Sequence, residues 1–248
     1  MATSIAIVRA IEKELNKKIY TLCKFMAGHS LGEYTALCAS GAISLSDTAK
    51  ILQIRGKAMQ EACTGLEVGM AACLDTPIIK LNEILDYCKK EGVVEIANDN
   101  TDSQVIISGE INAIDRVIAI LKDMGKKAIK LNVSAPFHSS LIIKASDVMR
   151  IELNKIQITS PNTPIIQNIS VSPEIDPNII KDNLVKQVAS PVRWRETLEF
   201  LHKNNIDNLI ETGPGKVLTG MLKRTNYNFS LLNLSSLEEV NKFIELQS

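Results

Sequence analysis

Aromatic residues are scarce in this 248-residue sequence, at 4%, and neither sign of charge is in excess: 28 Lys and Arg face 28 Asp and Glu. With no Lys/Arg block longer than two residues, the chain lacks the electrostatic footprint of a protein that tracks phosphate backbones, and no nucleic-acid partner is expected. Long apolar runs are missing as well. Each is broken by a charge or a glycine before the ~18 residues that a membrane span requires, and no basic segment leads into an apolar one with a cleavage site at the N-terminus. The expectation is a cytoplasmic protein with no membrane partner. The five cysteines (Cys23, Cys38, Cys63, Cys73, Cys88) are odd in number and include no C-x-x-C pair; they read as reduced thiols filling small apolar spaces, with no metal site. What is present, 45% hydrophobic and 23% charged residues, suits one large globular domain or two smaller ones.

Apolar periodicity alternates between helical and strand spacing, which favours an α/β fold over a sandwich or a bundle. Ile5, Val8, Ile11 and Leu15 recur at helical spacing; Ile19 to Ala27 reads as a buried strand, Gly28 opens a turn, and the helix that follows can end at Gly41. Ser46 is placed to cap a helix running to Cys63, on which Ile51, Arg55 and Met59 stand four residues apart on one face. An arginine between two apolar neighbours needs a partner. Between Gly65 and Val133 the order becomes strand (Gly69 to Leu74), helix (Pro77 to Lys89), strand (Val93 to Ala97), strand (Gln104 to Ser108), helix (Asn112 to Met124), strand (Lys127 to Leu131). This βαββαβ order predicts a ferredoxin-like unit over 65–133, inserted into a larger domain made of 1–64 and 134–248. Beyond it, the pattern gives a helix over Ser139 to Asn154, a strand over Pro164 to Ile169, and helices starting at Asp176-Pro177 and at Trp194. A strand over Asn205 to Ile210, a Thr212-Gly213-Pro214-Gly215 turn, a short helix to Arg224, and a last strand and helix complete the chain.

Gly28-His29-Ser30-Leu31-Gly32 fits G-x-S-x-G between an apolar strand and a helix, the context that a nucleophile elbow requires. A sharp strand-to-helix turn leaves no room for Cβ atoms beside the serine and lifts Ser30 Oγ out of the sheet. There the Leu31 N–H at the helix N-terminus points toward a developing oxyanion. Without that context, the same pattern would be a glycine-rich turn. A serine hydroxyl needs an adjacent base. Of the three histidines, His29 adjoins the nucleophile and should point away, and His202 lies on an amphipathic helix beside Lys203 and Asn204. His138 remains, in Ser134-Ala135-Pro136-Phe137-His138-Ser139, a loop between a strand and a helix where α/β folds commonly place active-site residues. Arg55 is either a surface or snorkelling cation or a bidentate clamp for a carboxylate, planar fork against planar anion.

Taken together, Gly28-His-Ser-Leu-Gly-Glu-Tyr34, Arg55-Gly-Lys-Ala-Met-Gln-Glu-Ala62, Ala135-Pro-Phe-His138, Ser190-Pro-Val-Arg-Trp194 and Gly213-Pro-Gly-Lys-Val-Leu218 resemble the malonyl-CoA:acyl carrier protein transacylases of type II fatty acid synthesis, in order and spacing over residues 2–225. The resemblance implies an α/β-hydrolase-like large domain carrying the ferredoxin-like small one. It assigns Ser30 as nucleophile, His138 as base, Arg55 as the malonyl carboxylate clamp, and Gln187 as the residue whose backbone carbonyl holds the histidine. Met59, Asn98 and Asn100 fall at positions that the family places near its acyl pocket. It further implies malonyl-CoA and acyl carrier protein as substrates and partners, no cofactor, and a monomer when the chain is complete.

That family begins with a strand and a Pro-Gly-Gln-Gly-Ser segment whose glutamine supplies a second oxyanion N–H, and Met1-Ala2-Thr3-Ser4 matches the interior of a later family helix. The expectation is therefore a transacylase lacking its N-terminal part. Two alternatives stand beside an active transacylase: a non-catalytic remnant or half of a split enzyme, and another Ser–His thioesterase or lipase. Arg55 beside Met59 speaks against the last, because a neutral acyl pocket has no use for a buried cation.

Overall fold

The computed structural model describes residues 1–247. Its N-terminal helix α1 (Ala2–Leu15) buries Ile5, Val8 and Ile11 and stops at Asn16 in the left-handed conformation. The expected strand over 19–27 shrinks to β1 (Met26–Ala27), preceded by a single 3₁₀ turn over Ile19–Thr21. Local side-chain bonds take the backbone groups a ladder would use: Glu12 accepts from the Ile19 N–H, and the Tyr20 carbonyl accepts from Thr163 Oγ. Cys23 in this stretch is exposed and fills no apolar space, whereas Cys63, Cys73 and Cys88 are buried. Next come α2 (Leu31–Ala39) and α3 (Leu45–Glu61). The cap of α3 is Ser44, two residues earlier than expected, whose hydroxyl accepts from the Asp47 N–H.

The middle of the chain runs β2 (Val68–Leu74), α4 (Ile78–Cys88), β3 (Val94–Thr101), β4 (Gln104–Glu110), α5 (Ile111–Asp123) and β5 (Ala128–Lys130), the βαββαβ order read from the sequence. Strands pair antiparallel in the order β5-β2-β4-β3. Both helices cover one face, where Leu81, Ile84, Leu85, Ile114, Val117 and Leu121 close over Val94, Val105 and Ile107. The opposite face carries Met70, Ala72, Ala97 and Ile106, and Leu131 and Phe137 pack onto it. It thus lies against the segment bearing His138.

The remainder runs α6 (Ile143–Leu153), β6 (Ile165–Ile166), β7 (Pro173–Glu174), α7 (Pro177–Gln187), β8 (Val192–Arg193), α8 (Trp194–Lys203), β9 (Asn208–Thr212), α9 (Val217–Leu222), β10 (Ser230–Leu234) and α10 (Leu237–Gln247). Asp176 caps α7 through the Asn178 and Ile179 amides, with Pro177 at the first turn. The strand expected over 164–169 pairs only at two residues, because Gln167 and Asn168 turn their amides into a buried polar network and Val171 at φ 55° reverses the chain. Two elements, each of two residues, are too short to show a period in the sequence. One is β7, and the other is β8, which extends the inserted sheet by pairing parallel to β3 at Asn98 and Asp99.

β1 pairs parallel with β6, and β9 parallel with β10, in two separate small sheets. They meet in one core in which Ile166, Val192, Trp194, Leu198 and Leu201 are joined by Phe25, Ala27 and Leu209. A second core, of Tyr34, Leu37, Ile51, Met59, Ile142, Met149 and Leu184, binds α2, α3, α6 and α7. Among the described residues, no helix is long and apolar enough to cross a membrane.

Candidate active site

β1 delivers the chain to Gly28, from which it must turn into α2 within three residues. A Cβ on Gly28 would lie 2.0 Å from Gly32 C and 2.1 Å from Gly32 O, so only glycine lets the helix come this close. At Gly32 itself a Cβ meets nothing within 4 Å; the steric need expected at both glycines falls on Gly28 alone. Between them Ser30 holds φ 51°, ψ −107°, a conformation that costs a residue with a Cβ about 1–3 kcal/mol and persists only where the surroundings over-determine it. Leu31 opens α2, and its N–H is one of the first-turn amides that a helix leaves without an internal acceptor.

His138 is buried and, like Ser30, sits at positive φ (59°). Its Nε2 lies 2.8 Å from Ser30 Oγ and its Nδ1 2.9 Å from the Gln187 carbonyl oxygen. A carbonyl only accepts, so Nδ1 carries the ring proton and Nε2 turns its lone pair to the serine hydroxyl. Burial, with the Arg55 cation adding to it, pushes His138 down to about 3, which leaves the imidazole neutral near pH 7 and able to take a proton. The loop around it is tied down on both sides. Ser139 Oγ donates to the Pro136 carbonyl, and the Glu95 carboxylate on β3 accepts from the Ser140 N–H and hydroxyl at 2.7 and 2.9 Å. A cleft of about 300 Å³ lined by Glu95, Ile96, His138, Ser140, Ala189 and Pro191 opens beside this contact.

Arg55 enters from α3, where Ile51, Arg55 and Met59 are all buried. Its Nη2 donates to Ser30 Oγ at 3.0 Å and to Gln187 Oε1 at 3.1 Å, and its guanidinium carbon is 5.6 Å from the centre of the Tyr34 ring. Among the described residues, Arg55 Nε has no partner. Met59, one turn on, belongs to the core cluster with Tyr34 and Ala135. His29 turns away from Ser30: its Nε2 lies 2.8 Å from Asn100 Oδ1 and its ring meets Trp194 edge-on. Burial lowers the pKa of His29, so the neutral ring donates from Nε2 to that amide oxygen. Asn98 is buried two residues earlier on β3, in register with Val192. His202 stands apart, tilted over the Tyr227 ring and edge-on to Phe229.

Beneath the triad of Ser30, His138 and Arg55 lies a polar network that the sequence pattern did not reveal. Glu33 is fully buried; its Oε1 accepts from Gln167 Nε2, and its Oε2 accepts from the Asn168 N–H and from Gln187 Nε2, all at 2.8–3.0 Å. Burial pushes the Glu33 carboxyl up, while these three donors and Arg55 pull it back. Because every partner is an N–H donor, the carboxylate is the form that fits. Gln187 thus joins a buried cation to a buried anion through one side-chain amide, besides holding His138 with its backbone. The hints in the sequence were faint: an acidic residue one turn after Ser30 on an apolar helix, and the Gln167-Asn168 pair closing an apolar strand.

An elbow serine, a neutral histidine and a buried arginine on an α/β body are the equipment of an acyl-transfer enzyme, and the model of the acyl transferase domain family matches residues 24–241. A malonyl CoA-acyl carrier protein transacylase of Bacillus subtilis is 36% identical over 247 residues, which span 99% of this chain and 76% of that protein. The crystal structure of an acyl-carrier-protein S-malonyltransferase from Bartonella henselae is 43% identical with a TM-score of 0.95, covering 99% of this chain and 78% of its own. The malonyl-transacylase solved in complex with its type II PKS acyl-carrier protein is 33% identical with a TM-score of 0.93, over 99% and 78% of the two chains. The chain belongs to the malonyl CoA-acyl carrier protein transacylases.

Proposed function

We propose that this chain transfers malonyl from malonyl-CoA to the phosphopantetheine thiol of acyl carrier protein, supplying fatty acid elongation, with Ser30 as nucleophile, His138 as base and Arg55 as the malonyl clamp. Ser30 Oγ attacks the thioester carbonyl while His138 Nε2 takes the hydroxyl proton. Negative charge gathers on the carbonyl oxygen near the Leu31 N–H, the C–S bond breaks, and the proton passes to the departing coenzyme A sulfur. In the second half His138 removes the proton of the carrier thiol, the sulfur attacks the malonyl-serine ester, and Ser30 leaves with its proton restored. No cofactor is required beyond the two substrates. In this reading residues 65–133 form the inserted ferredoxin-like part of an α/β-hydrolase-like body made of 1–64 and 134–248, the last residue of which lies outside the described residues.

Arg55 is the observation that carries this reading. A buried guanidinium 3.0 Å from the serine hydroxyl, with Nε unpartnered among the described residues, presents donors where a malonyl carboxylate would sit beside the ester. In a thioesterase or lipase acting on neutral acyl groups, that cation would meet no carboxylate on the substrate. The test is the intact mass of the purified chain after mixing with malonyl-CoA, beside a Ser30→Ala control. A malonyl-sized gain lost in Ser30→Ala supports the proposal; no gain on the folded chain makes it a non-catalytic member of its family.

A further inference from the structure

Ser30 occupies a backbone conformation that no residue with a Cβ adopts unaided, and α2 alone does not hold it there. β1 and β6 run parallel with Met26 opposite Ile165 and Ala27 opposite Ile166. Continued by the same register, the next rungs would set Gly28 opposite Gln167 and His29 opposite Asn168. The ladder stops there, and a side chain replaces it. Asn168 Oδ1 accepts the Ser30 N–H at 2.8 Å, and Asn168 Nδ2 donates to the Gly28 carbonyl at 2.8 Å. The two backbone groups that flank the elbow are therefore bound by one amide, as a neighbouring strand's peptide would bind them.

The amide cannot turn over. Its oxygen also faces Gln187 Nε2 at 3.3 Å, so a flip would set N–H against two N–H donors and oxygen against the Gly28 carbonyl oxygen. The residue is fully buried, its own N–H is bound to Glu33 Oε2 at 2.8 Å, and its carbonyl accepts from the Arg193 N–H at 3.3 Å. Every polar group of Asn168 is thus engaged, and the two on its side chain grip the strained turn.

We infer that Asn168 is a positioning residue of the acyl transfer: its side-chain amide, locked by Glu33 and Gln187, holds the Ser30 backbone so that Oγ stays aligned with His138 Nε2 and the Leu31 N–H keeps its aim. This rests on the assignment of Ser30 as nucleophile. It touches neither substrate nor reacting atoms. Loss of the amide lets the turn relax, and displacement of a nucleophile by an ångström or so lowers the rate of the chemical step by about 10²-fold while the binding determinants around Arg55 stay in place.

Two variants test it, Asn168→Ala and Asn168→Asp, with Ser30→Ala and the unmutated chain beside them. Malonylation by malonyl-CoA and labelling by a fluorophosphonate, which reports any activated serine, are both timed by mass spectrometry, and thermal unfolding establishes that each variant is folded. Asn168→Ala is expected to lose about 10²-fold in malonylation rate with the half-saturating malonyl-CoA concentration changed less than about threefold. Asn168→Asp has a signature that a purely structural role lacks. The charged groups linked to this position are Glu33, directly, and Arg55 through Gln187. An ionised carboxylate introduced here would repel Glu33 and the Gly28 carbonyl, whereas a protonated carboxyl can accept from Ser30 and donate to Gly28 as the amide does. The Asn168→Asp rate should climb as pH falls from 8 to 6, where the unmutated chain shows no such climb. Equal labelling of Asn168→Ala and the unmutated chain, or an Asn168→Asp rate that follows the unmutated pH profile, would overturn the inference alone. Labelling that persists in Ser30→Ala, or that is absent from the folded unmutated chain, would overturn the nucleophile assignment and this inference with it. If Asn168→Ala fails to fold, the pH profile of Asn168→Asp decides.

Discussion

Arg55 Nη2 and Ser30 Oγ share a hydrogen bond of 3.0 Å, so the candidate clamp and the candidate nucleophile are in direct contact before any substrate arrives. The same hydroxyl lies 2.8 Å from His138 Nε2. The serine oxygen therefore accepts from a cation on one side and donates to a neutral base on the other, an arrangement that favours charge on Oγ as its proton leaves. In the proposed reading, Arg55 would act both on the malonyl carboxylate and on the ionisation of Ser30.

Arg55→Ala is expected to lower malonyl transfer by at least about 10²-fold and to narrow the preference for malonyl-CoA over acetyl-CoA, since the anion loses its charge-assisted bonds. Arg55→Lys keeps the charge but not the fork, and should recover only part of the loss. Competition between the two acyl-CoA donors in one reaction measures both. A variant with unchanged selectivity would remove Arg55 from the acyl site.

His138 is depressed from 6.5 to about 3 by burial and by Arg55. A base with that pKa is already neutral throughout the physiological range, so the malonylation rate should show no histidine limb between pH 5 and 8. In Arg55→Ala one of the depressing causes is gone, and the acid limb should move up toward neutrality. Single-turnover rates across pH for the two proteins check this, and an inflection near 6.5 in the unmutated chain would contradict it.

The same histidine makes stability depend on pH with a definite sign. Below 6.5 the unfolded chain binds a proton at His138 that the folded chain refuses, so its contribution is complete above about pH 6.5 and is lost as pH falls toward 3. His29, also lowered by burial, acts in the same direction. Each can cost up to about 1.4 kcal/mol per pH unit within its window. Urea midpoints at pH 7.5, 6 and 5 should fall steadily, and less steeply for His138→Gln.

Gly28 and Gly32 separate a steric demand from a motif. Gly28→Ala would force a methyl onto the Gly32 backbone and push α2 away from β1, so both thermal stability and malonylation should drop sharply. Gly32→Ala meets no atom within 4 Å and stands in the first turn of a helix, where alanine is favoured by up to about 1 kcal/mol. Its unfolding temperature should stay level or rise.

Arg195 on α8 grips Asp99 on β3 with Nε at 3.0 and 3.1 Å and Nη2 at 2.8 Å, and the Asp99 side chain is only 6% exposed. Arg195→Ala leaves that carboxylate buried without its cation, with an expected cost of about 3–5 kcal/mol. Asp99→Asn combined with Arg195→Ala should cost less than Arg195→Ala alone. Chemical unfolding of the three variants gives the comparison.

Much of this could be seen in the residues themselves. The βαββαβ order over 65–133 shows because each element carries a clean period of 2 or 3.6, and β2, α4, β4 and α5 fall within two residues of expectation at each end. The Gly28–Gly32 motif, the proline after Asp176 and the spacing of Ile51, Arg55 and Met59 are equally local. Periodicity erred where side chains compete with the ladder: the strands at 19–27 and 164–169 contract to two residues each, since Glu12, Thr163, Gln167 and Asn168 claim the backbone or turn inward.

Local pattern in the chain therefore determined the alternation of elements, the elbow and the short roll of chemically capable residues, because periodicity, glycine geometry and caps act within a few positions of each other. Tertiary structure alone decided which of those residues meet. Ser30 and His138 are 108 positions apart and Arg55 and Gln187 are 132 apart, yet each pair is within hydrogen-bond distance. Glu33, Gln167, Asn168 and the side chain of Gln187 leave only a faint local signal because their importance lies in burial, and only packing shows that a carboxylate and three amides have lost water together. Once they are dry, each must find its partner inside the protein, and the elbow, the histidine and the arginine are what they find.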